Sequence, residues 1–263
     1  MFKRELKSNF LNFMIWTVVL LVLFLIVFLV YPSIVNSENG KMIDEMMEIF
    51  PKELLKAFNM DIASIDTAFG WLKTEGFVFV LLIIGLYSAL LGSNILLKEE
   101  SDKTIEYLHS LPVTRTKIVM SKVFCGLFYI ISMTLILAVF NYIALVISGD
   151  FDKKQYILLS VTPIFSSIVI FGICLFLSTF THKTKKTIGI SFGIVLASYF
   201  LNVVSEMSES VEFLKYFSTF TLADIRNIIA DININPVMVA ISAALTVIFI
   251  ALTLIRYKKK ELV

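Results

Sequence analysis

EESDKTIEYLHSLPVTRTKIVMSK, residues 99–122, is a polar, charge-rich stretch set between two long apolar runs, residues 76–97 and 118–147. A bilayer core of ~30 Å needs about 20 apolar residues in a helix, and each run meets that length. The stretch between them therefore lies on one face of a membrane as a hairpin, a handle for a partner protein.

Working outward, the composition agrees. Hydrophobic residues make up 58% of the 263 and charged residues 17%, where soluble domains run at roughly 45–50% apolar and ~25% charged. Six apolar stretches are long enough to span: residues 12–35, 76–97, 118–147, 156–180, 187–205 and 237–255. Irregular backbone facing lipid would leave N–H and C=O groups unpaired at several kcal/mol each, so the spans are helices. The expected fold is all-α: a polytopic membrane protein with one transmembrane domain over residues 1–263. No A-x-A-like cleavage site follows the first run, which is expected to stay as an anchor.

Orientation follows from the basic residues. Lys3, Arg4 and Lys7, then Lys98, Lys103, Arg115, Lys117 and Lys122, then Lys183, Lys185 and Lys186, then Arg256, Lys258, Lys259 and Lys260 all fall in alternate loops or termini. Those fifteen leave eight of the 23 Lys and Arg for the other side, and acidic residues run the opposite way. The basic side is therefore expected in the cytoplasm, with both termini, at the plasma membrane. The net charge of +2 and the absence of a long basic arm argue against a nucleic-acid partner. Cys125 and Cys174 both fall inside apolar runs and read as packing residues.

Three flanking segments have their own patterns. Residues 1–11 read as an amphipathic elbow helix on the inner leaflet, because Phe2, Leu6, Phe10 and Phe13 share a face within about 80°. Residues 36–75 read as an extracytoplasmic helical cap, with Ile43, Met46, Met47 and Phe50 at helical spacing before Pro51. Residues 205–236 read as a helical excursion on the same side, broken around Ser218–Thr221, either dipping back into the membrane or lying on its surface.

Several chemistries lack their residues. Ion- or proton-coupled carriers place ionisable groups inside the bilayer, and the cores of these spans carry none. Asn94, Asn141 and Asn202 read as interhelical glue. Glu99 and Glu100, with His109 and His182 elsewhere, lack the H-E-x-x-H spacing of a metalloprotease, so no catalytic or metal-binding residue is assigned. The only Gly-Lys pair, Gly40 and Lys41, is followed by Met42 and is no P-loop, so ATP-driven work would need an ATPase on another polypeptide.

Within the hairpin, Ser101 or Asp102 can cap a short helix that Pro112 ends, with Ile105, Leu108 and Leu111 on one face. Thr114 can cap the next helix, whose 33 residues from Arg115 to Ile147 would reach about 50 Å and project Arg115, Lys117 and Lys122 beyond the bilayer. This segment resembles the signature of type-2 ATP-binding-cassette exporter permeases. Glu99 or Glu100, Thr104, Glu106, Leu108, Ser110, Leu111, Pro112, Thr114, Arg115, Ile118 and Lys122 fit that pattern, whereas Lys103 stands where the family often has Gly.

The resemblance implies a coupling helix between spans two and three that fits a groove on an ABC ATPase, through Glu99, Glu100, Thr104, Ile105, Glu106, Leu108, Leu111, Pro112 and Arg115. It also implies two ATPase copies, which bind the ATP and magnesium, so that the chain itself holds no cofactor. A second permease, identical or paralogous, would complete the pore. The expected seam joins spans one and five, where the small residues Gly189, Gly193 and Ala197 allow close approach. The chain then reads as the membrane subunit of an exporter for a hydrophobic, peptide or drug-like substrate, the alternative being a sensor or scaffold on the same ATPase dock.

Overall fold

The computed structural model describes residues 1–34, 67–104, 113–223 and 225–260. Among the described residues every regular element is helical. Six helices are long and apolar enough to cross a membrane: Phe2–Pro32, Phe77–Ile95, Arg115–Ser148, Lys153–Ser178, Thr184–Met207 and Pro236–Lys259. Each overlaps one of the six stretches read from the sequence; the first begins ten residues earlier, and the other ends agree within four residues.

In chain order the α-helices are α1 (Phe2–Ile34), α2 (Ala68–Trp71), α3 (Phe77–Ile95), α4 (Lys98–Ser101), α5 (Arg115–Ser148), α6 (Lys153–Val161), α7 (Pro163–Ser178), α8 (Thr184–Met207), α9 (Ile225–Asp231) and α10 (Pro236–Lys259). Their starts follow local chemistry. Thr114 accepts from the Lys117 amide, Asp152 from those of Lys154 and Gln155, and Asn235 from that of Val237, each meeting an amide that has no partner inside its helix. Pro163 opens α7, where its missing N–H costs nothing.

One expectation fails in detail. Residues 1–11 are no separate elbow, because α1 runs from Phe2 to Ile34 without a break. Of the Phe2, Leu6, Phe10 and Phe13 face, Phe2 and Phe10 are exposed, whereas Phe13 is buried in a stripe with Glu5, Asn9, Thr17, Leu20 and Phe24. That stripe, continuous at helical spacing, packs on α5, with the Phe13 ring stacked 4.7 Å from that of Tyr129. A wheel drawn on apolar residues alone cannot register that Glu5 has a buried partner. Of the expected cap at 36–75, residues 36–66 lie outside the described residues. From Thr67 the chain forms α2 and one wide turn, Leu72–Gly76, that runs straight into α3.

α3 and α7 form the centre of the bundle. α5, with α1 outside it, flanks them on one side, α8 packs on α3, and α10 packs on α7. Helices in lipid gain little from apolar burial against one another, so close backbone approach has to supply the packing. Gly92 and Gly126 permit it around Phe171: a Cβ on Gly92 would lie 2.7 Å from the Phe171 carbonyl oxygen, and one on Gly126 2.3 Å from its ring. Beyond α8, residues 209–223 fold back, and Phe220 and Ala223 are buried in a cluster with Leu81, Ala89, Ile170, Cys174 and Val195. Ser198 ties this return to α8, accepting from the Thr219 amide at 2.8 Å and giving its carbonyl to the Ser218 hydroxyl at 2.8 Å.

These contacts separate two glycines that look alike in the sequence. Gly92→Ala pushes a methyl onto backbone and is expected to cost about 1–3 kcal/mol. Gly193→Ala, with nothing within 4 Å of the added carbon, gains helix propensity and should be neutral or stabilising by up to ~1 kcal/mol. Thermal unfolding of the detergent-purified variants checks the pair, and a Gly92→Ala protein as stable as the parent would contradict the packing described.

Candidate coupling site

After α3 the chain makes one turn of helix, α4, and leaves it by a tight reversal. The Thr104 amide donates to the Glu99 carbonyl at 2.9 Å and the Lys103 amide to that of Glu100 at 3.3 Å, with Lys103 left-handed at φ 55°. This pair of bonds is the Schellman ending of a helix. Ser101 and Asp102 therefore close a helical turn instead of capping a new one, because the acceptors available to that turn's last amides lie behind them. Residues 105–112, with Ile105, Glu106, Leu108, Leu111 and Pro112, lie outside the described residues.

The α4 turn aims three consecutive side chains at three different places. Lys98 donates to the Ser8 carbonyl at 2.9 Å and to its hydroxyl at 2.6 Å, holding α1. Glu99 holds α5: both its oxygens accept from the Lys122 ammonium, at 2.7 and 2.8 Å. Lys122 also donates to Glu5 at 3.2 Å and to the Ile95 carbonyl at 2.5 Å. Glu100 turns the other way, taking Lys260 at 2.7 Å, beyond the end of α10, and the His182 Nδ1 at 2.8 Å, in the α7–α8 turn. Lys260 adds a bond to the Thr181 carbonyl at 2.8 Å. Arg115, first residue of α5, donates to the Lys258 and Lys260 carbonyls, each at 3.0 Å, where a helix C-terminus leaves carbonyls unpaired and favours a cation.

The charges nearly balance. Lys122 is 1% exposed and Glu5 3%, with Glu99 and Glu100 at 8% each, so these groups have little water to solvate them. Glu5 and Glu99 face Lys122, with the half-exposed Arg4 guanidinium 3.5 and 3.7 Å from their carboxylates. Glu100 faces Lys260 and His182. A buried carboxylate that lost its cation would carry an uncompensated desolvation cost. Chemically the arrangement pairs opposite charges across several helices and is an ionic joint.

Of the residues singled out in the sequence, Glu99, Glu100 and Arg115 come together here, with both carboxylates turned into the bundle. Thr104 is exposed at the reversal. Lys122, expected to project beyond the membrane, is buried between Glu99 and Glu5. Gly189, Gly193 and Ala197 lie together on the exposed face of α8, away from the buried Thr187, Ser191 and Val195. Glu5, Lys98, His182 and Lys260 were not singled out. Lys122 did give a signal, as the lone charge inside an apolar run, where a charge requires a partner.

The joint brings the N-terminus, the hairpin, the α7–α8 turn and the C-terminus to one end of a six-helix bundle, the plan of a permease. The sequence model of the ABC-2 family transporter protein matches residues 2–262. The chain belongs to the ABC-2 transporter family. No curated protein and no solved structure matches it. As an ABC-2 protein it is a multi-pass membrane subunit of an ABC transporter that works with an ABC ATPase and is not itself the ATPase.

Within the ABC-2 signature, Lys103 now has a physical account. The position where the family often has Gly is the left-handed residue of the Schellman turn, which costs an ordinary side chain about 1 kcal/mol or more and glycine almost nothing. Lys103→Gly is expected to raise stability by about 1 kcal/mol, read as a higher unfolding temperature; a lower one would place the strain elsewhere. Lys122→Met should cost about 3–5 kcal/mol, since two buried carboxylates lose their cation. A double-mutant cycle with Glu99→Gln checks it: the second change should restore part of the loss, and strictly additive losses would show that the two groups do not interact.

Proposed function

We propose that this ABC-2 subunit is the membrane half of an ATP-driven exporter, with the hairpin and both termini in the cytoplasm of a cell whose plasma membrane it spans. A separate ATPase binds ATP and magnesium and takes the coupling helix, centred on Ile105, Glu106, Leu108 and Leu111, into a groove. The observation that carries this reading is the fan of Lys98, Glu99 and Glu100. Side chains one residue apart hold α1, α5, the α7–α8 turn and the end of α10. Motion of the hairpin is therefore delivered to both sides of the bundle at once, as rigid-body rearrangement requires.

A working pore would take two permeases and two ATPases. The small-residue stripe Gly189, Gly193 and Ala197 supports a seam along α8, since it faces outward and leaves open space around both glycines. The apolar face of α1, with Leu11, Ile15, Val18 and Val22 exposed, supports its share of that seam. The apolar interior fits a hydrophobic, peptide or drug-like cargo.

Leu108→Asp tests the dock, because a charge on the apolar face of a short helix cannot enter a groove without desolvation. The cognate ATPase should no longer co-purify, and its activity in proteoliposomes should fall to that of the ATPase alone. Unchanged co-purification and stimulation would remove the coupling role from residues 105–111.

A further inference from the structure

At the end of the bundle away from the ionic joint, a cavity of about 590 Å³ opens between α1, α2, α5 and the turn that leads to α6. Its size falls within the ~300–1,000 Å³ of small-molecule sites, and so does its character, apolar and aromatic with few polar groups. Phe28 and Tyr31 of α1, Phe69 of α2 and Phe151 of the turn line it, and Asp150 is its acidic group. The rings are held by one another: the Phe151 centroid lies 5.7 Å from Phe69, 5.6 Å from Tyr142 and 5.8 Å from Tyr156. The site is therefore preformed on packed helices.

The one charged residue of its lining is acidic. The cavity meets the C-terminal ends of both α1, at Pro32, and α5, at Leu145, Ser148 and Gly149. A helix C-terminus carries about half a negative charge, and neither helix has a basic residue in its last turn to offset it. Asp150, exposed at the mouth, adds a full negative charge. Aromatic faces attract cations as well, and the Lys73 ammonium already rests 5.1 Å from the Phe69 ring centroid.

From this juxtaposition of rings, Asp150 and two helix ends without a basic residue in their last turns, we infer that the cavity binds an amphipathic organic cation. The charged head sits against Asp150 and the helix ends, and the apolar body stacks on the rings. An anion of the same shape would meet the Asp150 carboxylate and the helix ends as like charge. Binding stands on the geometry alone; that such a cation is also the cargo rests on the exporter reading.

The test uses the purified full chain in detergent, without an ATPase, and equilibrium dialysis of tetraphenylphosphonium against tetraphenylborate, two ions of one shape and opposite charge. Saturable binding of the cation only is expected, weakened about tenfold by Asp150→Asn and kept by Asp150→Glu. Absent saturable cation binding, equal binding of the borate, or an Asp150→Asn affinity equal to the parent's would overturn the site. Intact ATP-driven transport of the cation without this binding would sink the site alone. Binding without transport in the presence of ATPase would sink the cargo assignment and leave the site standing.

Discussion

Everything at one end of this bundle depends on finding partners for Lys122. An ammonium with almost no exposure must be met by acceptors, and it is met by Glu99, Glu5 and the Ile95 carbonyl. Ion pairs of this kind contribute little net stability, because desolvation offsets most of the attraction. What the cluster fixes is register. Rotating α1 by one residue, about 100°, would carry Glu5 off its cation and leave a carboxylate facing apolar surroundings, so α1, α4 and α5 have one low-energy alignment.

That constraint explains why some of the structure was legible in the sequence and some was not. The six spans are set by hydropathy against bilayer thickness, a comparison that needs only composition and length, and the cap at Thr114 is set by residues within four of it. The ionic joint instead pairs residues far apart in the chain, Glu5 with Lys122 and Glu100 with Lys260. Nothing local in Glu99 or Glu100 distinguishes a carboxylate that faces a partner protein from one turned inward. The elbow was misread because helical spacing over residues 1–11 does not distinguish a separate helix from the first turns of α1, which runs unbroken from Phe2 to Ile34.

The packing divides the spans into an inner and an outer set. α3 approaches α7 closely at Gly92 and α5 approaches it at Gly126, both around Phe171, and α3 and α7 bury most of their side chains. α8 and α10 leave rows of large apolar residues exposed, among them Leu196 and Phe200 on the one and Val247 and Ile255 on the other. Apolar faces of that extent are stable only against lipid or another apolar surface. Hydropathy marks each of these helices as a span; only the contacts tell which face of each is already taken.

α1 and α5 link the two ends of the molecule. At one end they carry Glu5 and Lys122; at the other they supply Phe28 and Leu145 to the cavity wall. Between these points they are unbroken helices, and from Lys122 to Leu145 α5 rises about 35 Å. They pack along the buried stripe from Glu5 to Phe24, and near the ionic end the Tyr129 hydroxyl donates to the Leu6 carbonyl at 2.5 Å while its ring stacks on Phe13. Two stiff rods packed along most of their length turn as one. A displacement at the Glu99 joint would therefore carry both helical walls of the distant cavity together, with the length of α5 as its lever arm.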